Sequence, residues 1–181
     1  MTTTVLEMPK PPGPAEIIAQ AREGQPDALT ALYHEHASAL MAVAYRLTGS
    51  RADAEDVLHD VFLGLPEALG KYEERGSLSA WLKQITTRVA LTRLRSRART
   101  REIELDESVR VASHEPADTL ERVHRAIRSL PTTLRVVFVL REIEGYSHSE
   151  IGEILGIRAN TSEVRLHRAV RALRAILGDL E

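Results

Sequence analysis

The sequence predicts an all-α protein of two small helical domains joined by a flexible acidic linker, with the second domain a helix-turn-helix. Three observations carry this. Apolar residues recur at steps of three and four through most of the chain, and no segment alternates convincingly with period two. Residues 101–118 are acidic, weakly periodic and contain Pro116, so they separate two helical units. A helix–Gly–helix pattern closes the chain. The 181 residues suit one ordinary domain or two small ones, and a 43% hydrophobic content suffices for a core. Aromatics make up 4%, so that core must be aliphatic.

Residues 1–14 hold four of the eight prolines and no periodicity, which reads as a disordered tail. The first domain is expected over 15–100. Its first helical pattern begins near Pro26 or Asp27. Leu29, Leu32, His36, Leu40, Val43 and Leu47 form one stripe, and Gly49-Ser50 ends it. A second helix spans about Arg51 to Leu65, with Val57, Leu58, Val61, Phe62 and Leu65 on one side and Asp53, Asp56 and Asp60 on the other. Pro66 should stop it. A loop follows to Gly76. Ser77 or Ser79 then caps a third helix carrying Leu78, Leu82, Ile85 and Val89, which fades near Thr100.

The second domain is expected over 119–178. Leu120, Val123, Ile127 and Leu130 mark one helix, and Pro131 opens the next as its first residue. The run Val136 to Leu140 could be a buried strand, but its Pro start and Gly145 stop favour helix. Within Ser147 to Arg168, Gly152 supplies the small residue that a helix crossing needs. Gly156 supplies a turn residue tolerant of positive φ. Ile151, Leu155 and Ile157 form a packing wedge, and Asn160 or Thr161 is expected to cap the last helix.

The net charge of -2 argues against a nucleic-acid binder until it is segmented. Residues 1–74 carry 12 acids and 5 bases, for -7. Residues 75–101 carry eight bases and no acid, for +8. Residues 102–121 carry seven acids and one base, for -6, and residues 122–181 ten bases and seven acids, for +3. Screening at physiological salt acts over about 8 Å, so a block of this size attracts phosphate whatever the total. The last helix adds Glu163, His167, Arg168 and Arg171 on one face, with Arg165 and Arg174 beside it. Such a helix can enter a major groove.

Other classes recede. Zero cysteines leave no disulfide, thiolate metal site or Cys nucleophile. No Gly-rich phosphate loop, HExxH or GxSxG occurs. His34 and His36 are two apart and face different sides of a helix. No metal, cofactor or enzymatic activity is expected. The N-terminus lacks a basic start and an apolar stretch, no apolar run approaches the ~20 residues of a bilayer span, and the expected compartment is the cytoplasm.

Four segments carry a family likeness. They are Ala52-Asp53-Ala54-Glu55-Asp56-Val57-Leu58-His59-Asp60-Val61-Phe62, Lys71-Tyr72 with Arg75 to Leu82, Leu130-Pro131 with Arg135 to Arg141, and Gly145 to Ile157 leading into Arg165 to Ala169. In this order the chain resembles bacterial RNA polymerase sigma factors of the sigma-70 family, in the extracytoplasmic-function (ECF) group, over about residues 26–177. The resemblance implies a first domain that binds the core polymerase clamp and opens the −10 promoter element. It implies a second domain that meets the flap and reads the −35 element, and an anti-sigma factor as regulator.

On the matching positions, Asp53, Asp56, Val57, Asp60 and Val61 would bind polymerase. Lys71, Tyr72, Arg75, Trp81, Lys83, Arg88, Arg93 and Arg95 would meet −10 DNA. Arg158, Thr161, Glu163, Arg165, His167, Arg168 and Arg171 would meet −35 DNA. From the residues alone, Trp81 is either a core residue or a base-stacking platform, and Tyr72 either stacks on a base or covers the core edge. The acidic face is either a docking surface or ordinary solubility. Departures from the family pattern are Arg88, Thr92, Ser162, Glu163 and the Leu65-Pro66 pair. The rivals are a stand-alone helix-turn-helix regulator and a sigma mimic that binds a regulator instead of DNA.

Overall fold

A computed structural model describes residues 13–73, 76–101 and 119–178. Among these residues there are helices and no strand. The first unit comprises α1 (Pro14–Arg22), α2 (Pro26–Thr48), α3 (Arg51–Leu63), α4 (Leu65–Leu69) and α5 (Leu78–Arg101). The second comprises α6 (Thr119–Ser129), α7 (Thr132–Phe138) with a π-helical turn over Val139–Ile143, α8 (His148–Leu155) and α9 (Ala159–Gly178).

The spine of the first unit is α2. Its Leu32, His36, Leu40, Val43 and Leu47 are buried, and α3 and α5 pack against it. From α3 come Ala54, Val57, Leu58 and Val61, and from α5 Leu82, Ala90 and Leu91. Aliphatic side chains do nearly all of this packing, as the scarcity of aromatics requires. Thr86 of α5 is also buried, and its hydroxyl is satisfied there by donating to Leu82 O at 2.9 Å. Ser77 caps α5 as expected, its Oγ accepting from Ala80 N at 3.1 Å.

Three boundaries differ from the sequence reading. Pro66 does not end a helix; it sits at the second position of α4, where its missing N–H costs nothing. The same rule starts α1 at Pro14, in a stretch whose prolines had suggested no structure past the tail. Arg22 at the end of α1 donates to Leu69 O (2.9 Å) and Tyr72 O (3.0 Å), tying α1 to the turn after α4. Neither Asn160 nor Thr161 caps α9, which begins at Ala159. The Arg158 carbonyl instead accepts from Thr161 N and Ser162 N, so the turn's own backbone does the capping. The expected tail up to Pro12 and most of the expected linker, 102–118, lie outside the described residues.

In the second unit α7 and α8 both lie against α9. Gly156 ends α8 in the left-handed region at φ 68°, and its N–H bonds to Gly152 O. Gly152 stands where the chain recrosses α8. A Cβ there would lie 2.8 Å from Ile157 O and 3.4 Å from Ala159 N, so only glycine fits. Gly152→Ala should therefore cost about 1–3 kcal/mol by overpacking. Urea unfolding of the full chain, followed by helix signal, should show the midpoint fall; an unchanged midpoint would contradict this crossing.

Candidate nucleic-acid interface

The local geometry of α8 and α9 sets the second unit's exposed face. A capping box fixes the start of α8: Ser147 Oγ accepts from Glu150 N, and the Glu150 carboxylate accepts from Ser147 N at 2.8 Å and Ser147 Oγ at 2.6 Å. The hydroxyl and amide of Ser147 hold the Glu150 carboxyl below its usual pKa. Ser162, at a position the resemblance marks as usually apolar, is fully buried, and its Oγ lies 2.9 Å from His148 Nδ1. That contact pins α8 to α9, so a polar pair replaces an apolar one. The outward face of α9 then presents Glu163, His167, Arg168 and Arg171, all exposed. Arg158 is exposed in the turn, while Thr161 and Arg165 are half-buried at the edges. Val164 lies among them at 46% exposed. Charge reasoning passed over it, yet an apolar side chain there suits a thymine methyl.

In the first unit α5 lies along α3, and the acidic and basic blocks meet. Arg93 bridges two carboxylates, Nε to Asp60 at 2.6 Å and Nη1 to Asp56 at 3.0 Å. Arg97 pairs with Asp53. The hydrogen bond from Arg93 holds the Asp60 carboxyl below the usual carboxylate range, against an opposing push from burial, and the same bond raises Arg93. Both side chains are more than a third exposed, so each pair is worth under about 1 kcal/mol. Part of the +8 block is thus spent on α3, and Arg93 is not a free phosphate contact in this state. Arg88 and Arg95 are exposed and Lys83 half-buried on α5.

Two expectations are corrected here. Val57 and Val61 are 0% and 2% exposed, because they lie on the stripe with Ala54 and Leu58 that faces α2; no docked partner can reach them. Tyr72 is 7% exposed, its ring 4.7 Å from Trp81 and its hydroxyl donating to Gly76 O at 3.2 Å. It covers the core edge and is not a free stacking ring. Trp81 is half-buried, while Lys71 is exposed beside Glu67. Arg75 lies outside the described residues. The outer end of α3 holds something sequence reasoning missed. Leu63 is 73% exposed, next to Phe62, whose ring meets the half-exposed Tyr33 at 4.9 Å. The signal was available: Leu63 falls off the apolar stripe of its own helix.

Among the described residues no His, Asp or Glu cluster could hold a metal ion. His36 is buried and His34 exposed, on opposite sides of α2. No described helix is long and apolar enough to cross a membrane.

Comparison with known proteins places this geometry. Residues 32–100 match the model of sigma-70 region 2, and residues 120–173 that of sigma-70, region 4. The ECF RNA polymerase sigma factor SigE of Mycolicibacterium smegmatis is 32% identical over 179 residues, covering 93% of this chain and 68% of the relative. The RNA polymerase sigma factor CarQ of Myxococcus xanthus is 31% identical over 168 residues, covering 88% and 95%. Among solved structures, CnrH in complex with the cytosolic domain of CnrY is similar with a TM-score of 0.53 and 28% identity, over 91% of this chain and 97% of that one. The sigma factor RpoE in complex with the anti-sigma factor NepR from Bartonella quintana shares the fold, with a TM-score of 0.56 and 24% identity, over 80% and 92%.

The pairing of Asp60 makes a prediction about acid. Its depressed folded pKa contributes stability that is present above the unfolded carboxylate value, about 3.9, and is lost as pH falls through the lower folded value. Asp60→Asn should lower the urea midpoint slightly at pH 7, and the gap should narrow as pH falls below the unfolded carboxylate value and close below the lower folded one. A gap that persists in acid would mean that Asp60 acts through packing.

Proposed function

Because the chain belongs to the ECF sigma factors of the sigma-70 family, we propose that its two units divide promoter recognition between them. The protein is a transcription initiation factor that binds core RNA polymerase and promoter DNA under anti-sigma control. The family is non-enzymatic; bond-making belongs to the polymerase. In the proposed division, α1–α5 dock on the clamp and open the −10 element. The helices α6–α9 meet the flap and read the −35 element. The site of action is the cytoplasm.

The observation that carries this reading is the outward face of α9. Glu163, His167, Arg168 and Arg171 stand together at the exposed side of a helix-turn-helix, fixed by Gly152 and by the His148–Ser162 contact. In a major groove Arg168 and Arg171 suit guanine edges or phosphate, and Glu163 suits a cytosine amino group. Arg158, Thr161 and Arg165 border that face. On α5, Lys83, Arg88 and Arg95 are the bases proposed for −10 phosphate, with Trp81 as the stacking candidate. Polymerase docking falls on α3, which carries the acidic Asp56 and, at its end, the apolar spot of Leu63, Phe62 and Tyr33.

Run-off transcription with purified core polymerase on a pool of genomic promoter fragments tests this reading. Transcripts should require both proteins, and none from any fragment would refute it. Promoter binding should weaken steeply with salt, by about 0.9 log unit per log unit of salt for each phosphate neutralised. Arg168→Ala should cost roughly 1–3 kcal/mol in −35 recognition and leave strand opening of bound complexes intact. A flat salt titration, or equal losses in both steps, would contradict the division.

A further inference from the structure

Glu163 is the only acid between Glu153 and Asp179, a stretch that carries Arg158, Arg165, Arg168, Arg171 and Arg174. A lone carboxylate among five arginines opposes the binding of a polyanion, and the ordinary structural reasons for one are missing. It does not cap α9, where the Arg158 carbonyl accepts from Thr161 N and Ser162 N. It lies past the first turn, where the helix dipole no longer favours negative charge. Its helical neighbours three and four residues away are Ala159, Asn160, Leu166 and His167, so no arginine faces it along the helix. The side chain is exposed, and among the described residues no hydrogen bond or ion pair holds it. By contrast Asp53, Asp56, Asp60, Glu121 and Glu144 each meet an arginine.

The backbone beneath Glu163 is fixed. Ser162 before it is fully buried and pinned to His148 Nδ1 at 2.9 Å, and Leu166 after it is half-buried. The close crossing at Gly152 holds the turn that leads into α9. The carboxylate therefore reaches outward from a rigid base, and only a small zone of a groove falls within its reach. Val164 stands next to it, 46% exposed and equally uncovered. Both lie toward the start of α9, the end of a recognition helix whose side chains meet base edges.

Two groups on major-groove edges fit this couple. Cytosine offers an amino donor to the carboxylate, and thymine offers a methyl group to the valine. Guanine presents acceptors alone, thymine O4 is an acceptor, and adenine sets the N7 acceptor beside its amino group. A carboxylate aimed at those edges meets like partial charge, and the phosphates on either side repel it as well. A cytosine amino group offsets that repulsion at one base. On other sequences nothing offsets it, so the acid narrows the range of sites more than it strengthens any one of them.

We propose that Glu163 is a specificity-determining residue that works by exclusion. It confines the second unit to −35 elements with a cytosine beneath Glu163 and a thymine close by beneath Val164. The inference rests on the assignment of α9 to the −35 element, and adds which bases are chosen and which residue rejects the others.

Selection from promoter fragments randomised across the −35 element, bound by the full chain with core polymerase, reads the base at each position. Wild type should enrich cytosine at one position and thymine near it. Glu163→Gln should exchange that cytosine for adenine, because an amide pairs bidentately with adenine N6 and N7, and should leave the other positions unchanged. Val164→Ala should lose the thymine preference alone. Glu163→Ala should lose the cytosine preference, and on defined duplexes it should bind non-cognate promoters several-fold tighter than wild type. The ratio of cognate to non-cognate binding should fall by roughly five- to 150-fold. Tighter non-cognate binding is the mark of exclusion, since loss of a residue that merely held the fold or attracted DNA would weaken binding to both. Both side chains are exposed, so helix content and the urea midpoint of the variants should match wild type.

Unchanged base profiles in Glu163→Gln and Glu163→Ala, or an alanine variant weaker on every promoter, would overturn exclusion by Glu163 and leave the −35 assignment standing. A base other than cytosine at the position that Glu163 governs would overturn the chemical match. A wild type that enriches no −35 base would refute the assignment of α9, and this proposal with it.

Discussion

The guanidinium of Arg135 joins helix ends from both halves of the protein. Arg135 directs its N–H groups to main-chain carbonyls at the ends of α2 and α6, with Thr132 Oγ1 as a further acceptor, and no carboxylate among the described residues takes part. Burial lowers its pKa, but a guanidinium stays charged in any protein environment. The cation is stable there because two helix dipoles and their unpaired carbonyls converge on it. The position of α7 follows from this contact, and α9 packs on α7. The helix-turn-helix face itself is set inside the second unit, while Arg135 ties that unit to the spine of the other. The π-helical turn over Val139–Ile143 is followed directly by Glu144, which pairs with Arg46 of α2.

Charge cancels twice in this chain. In the sequence, blocks of opposite sign reduce the total to -2. In space, Arg93 and Arg97 of α5 cancel Asp56, Asp60 and Asp53 of α3. The two pairs of Arg93 are each more than a third exposed and individually weak, so a polymerase surface or a phosphate can replace either member at little cost. A basic stretch is therefore an upper bound on the charge available to DNA. The bases of α5 not held in carboxylate pairs, Arg88 above all, form the smaller set that remains, since Arg95 donates to Ile154 O.

Much of this fold was legible because helix periodicity is local. Leu32, His36, Leu40, Val43 and Leu47 are buried as their spacing implied, and Gly152 and Gly156 do at the turn what the pattern required. What escaped was long-range or non-periodic. Proline signals both a helix break and a helix start, so α1 and α4 went unread. The apolar stripe of α3 was visible, but not that its Val57 and Val61 face α2 and are lost to any partner. The partner of Arg135 lies 88 residues away, beyond any window in which spacing is informative. Ser162 looked like a departure from pattern until His148 was seen beside it.

The central claim is that two helical units of one chain meet two different stretches of one promoter. It is tested most directly by cleavage from tethered reagents in the complex of this chain with core polymerase and promoter DNA. Single cysteines at exposed Gln84 of α5 and exposed Asn160 of α9 carry the reagent, unambiguous in a chain without native cysteine. Cuts near −10 from Gln84→Cys and near −35 from Asn160→Cys are the predicted result. Cuts from both positions at the same element would contradict it.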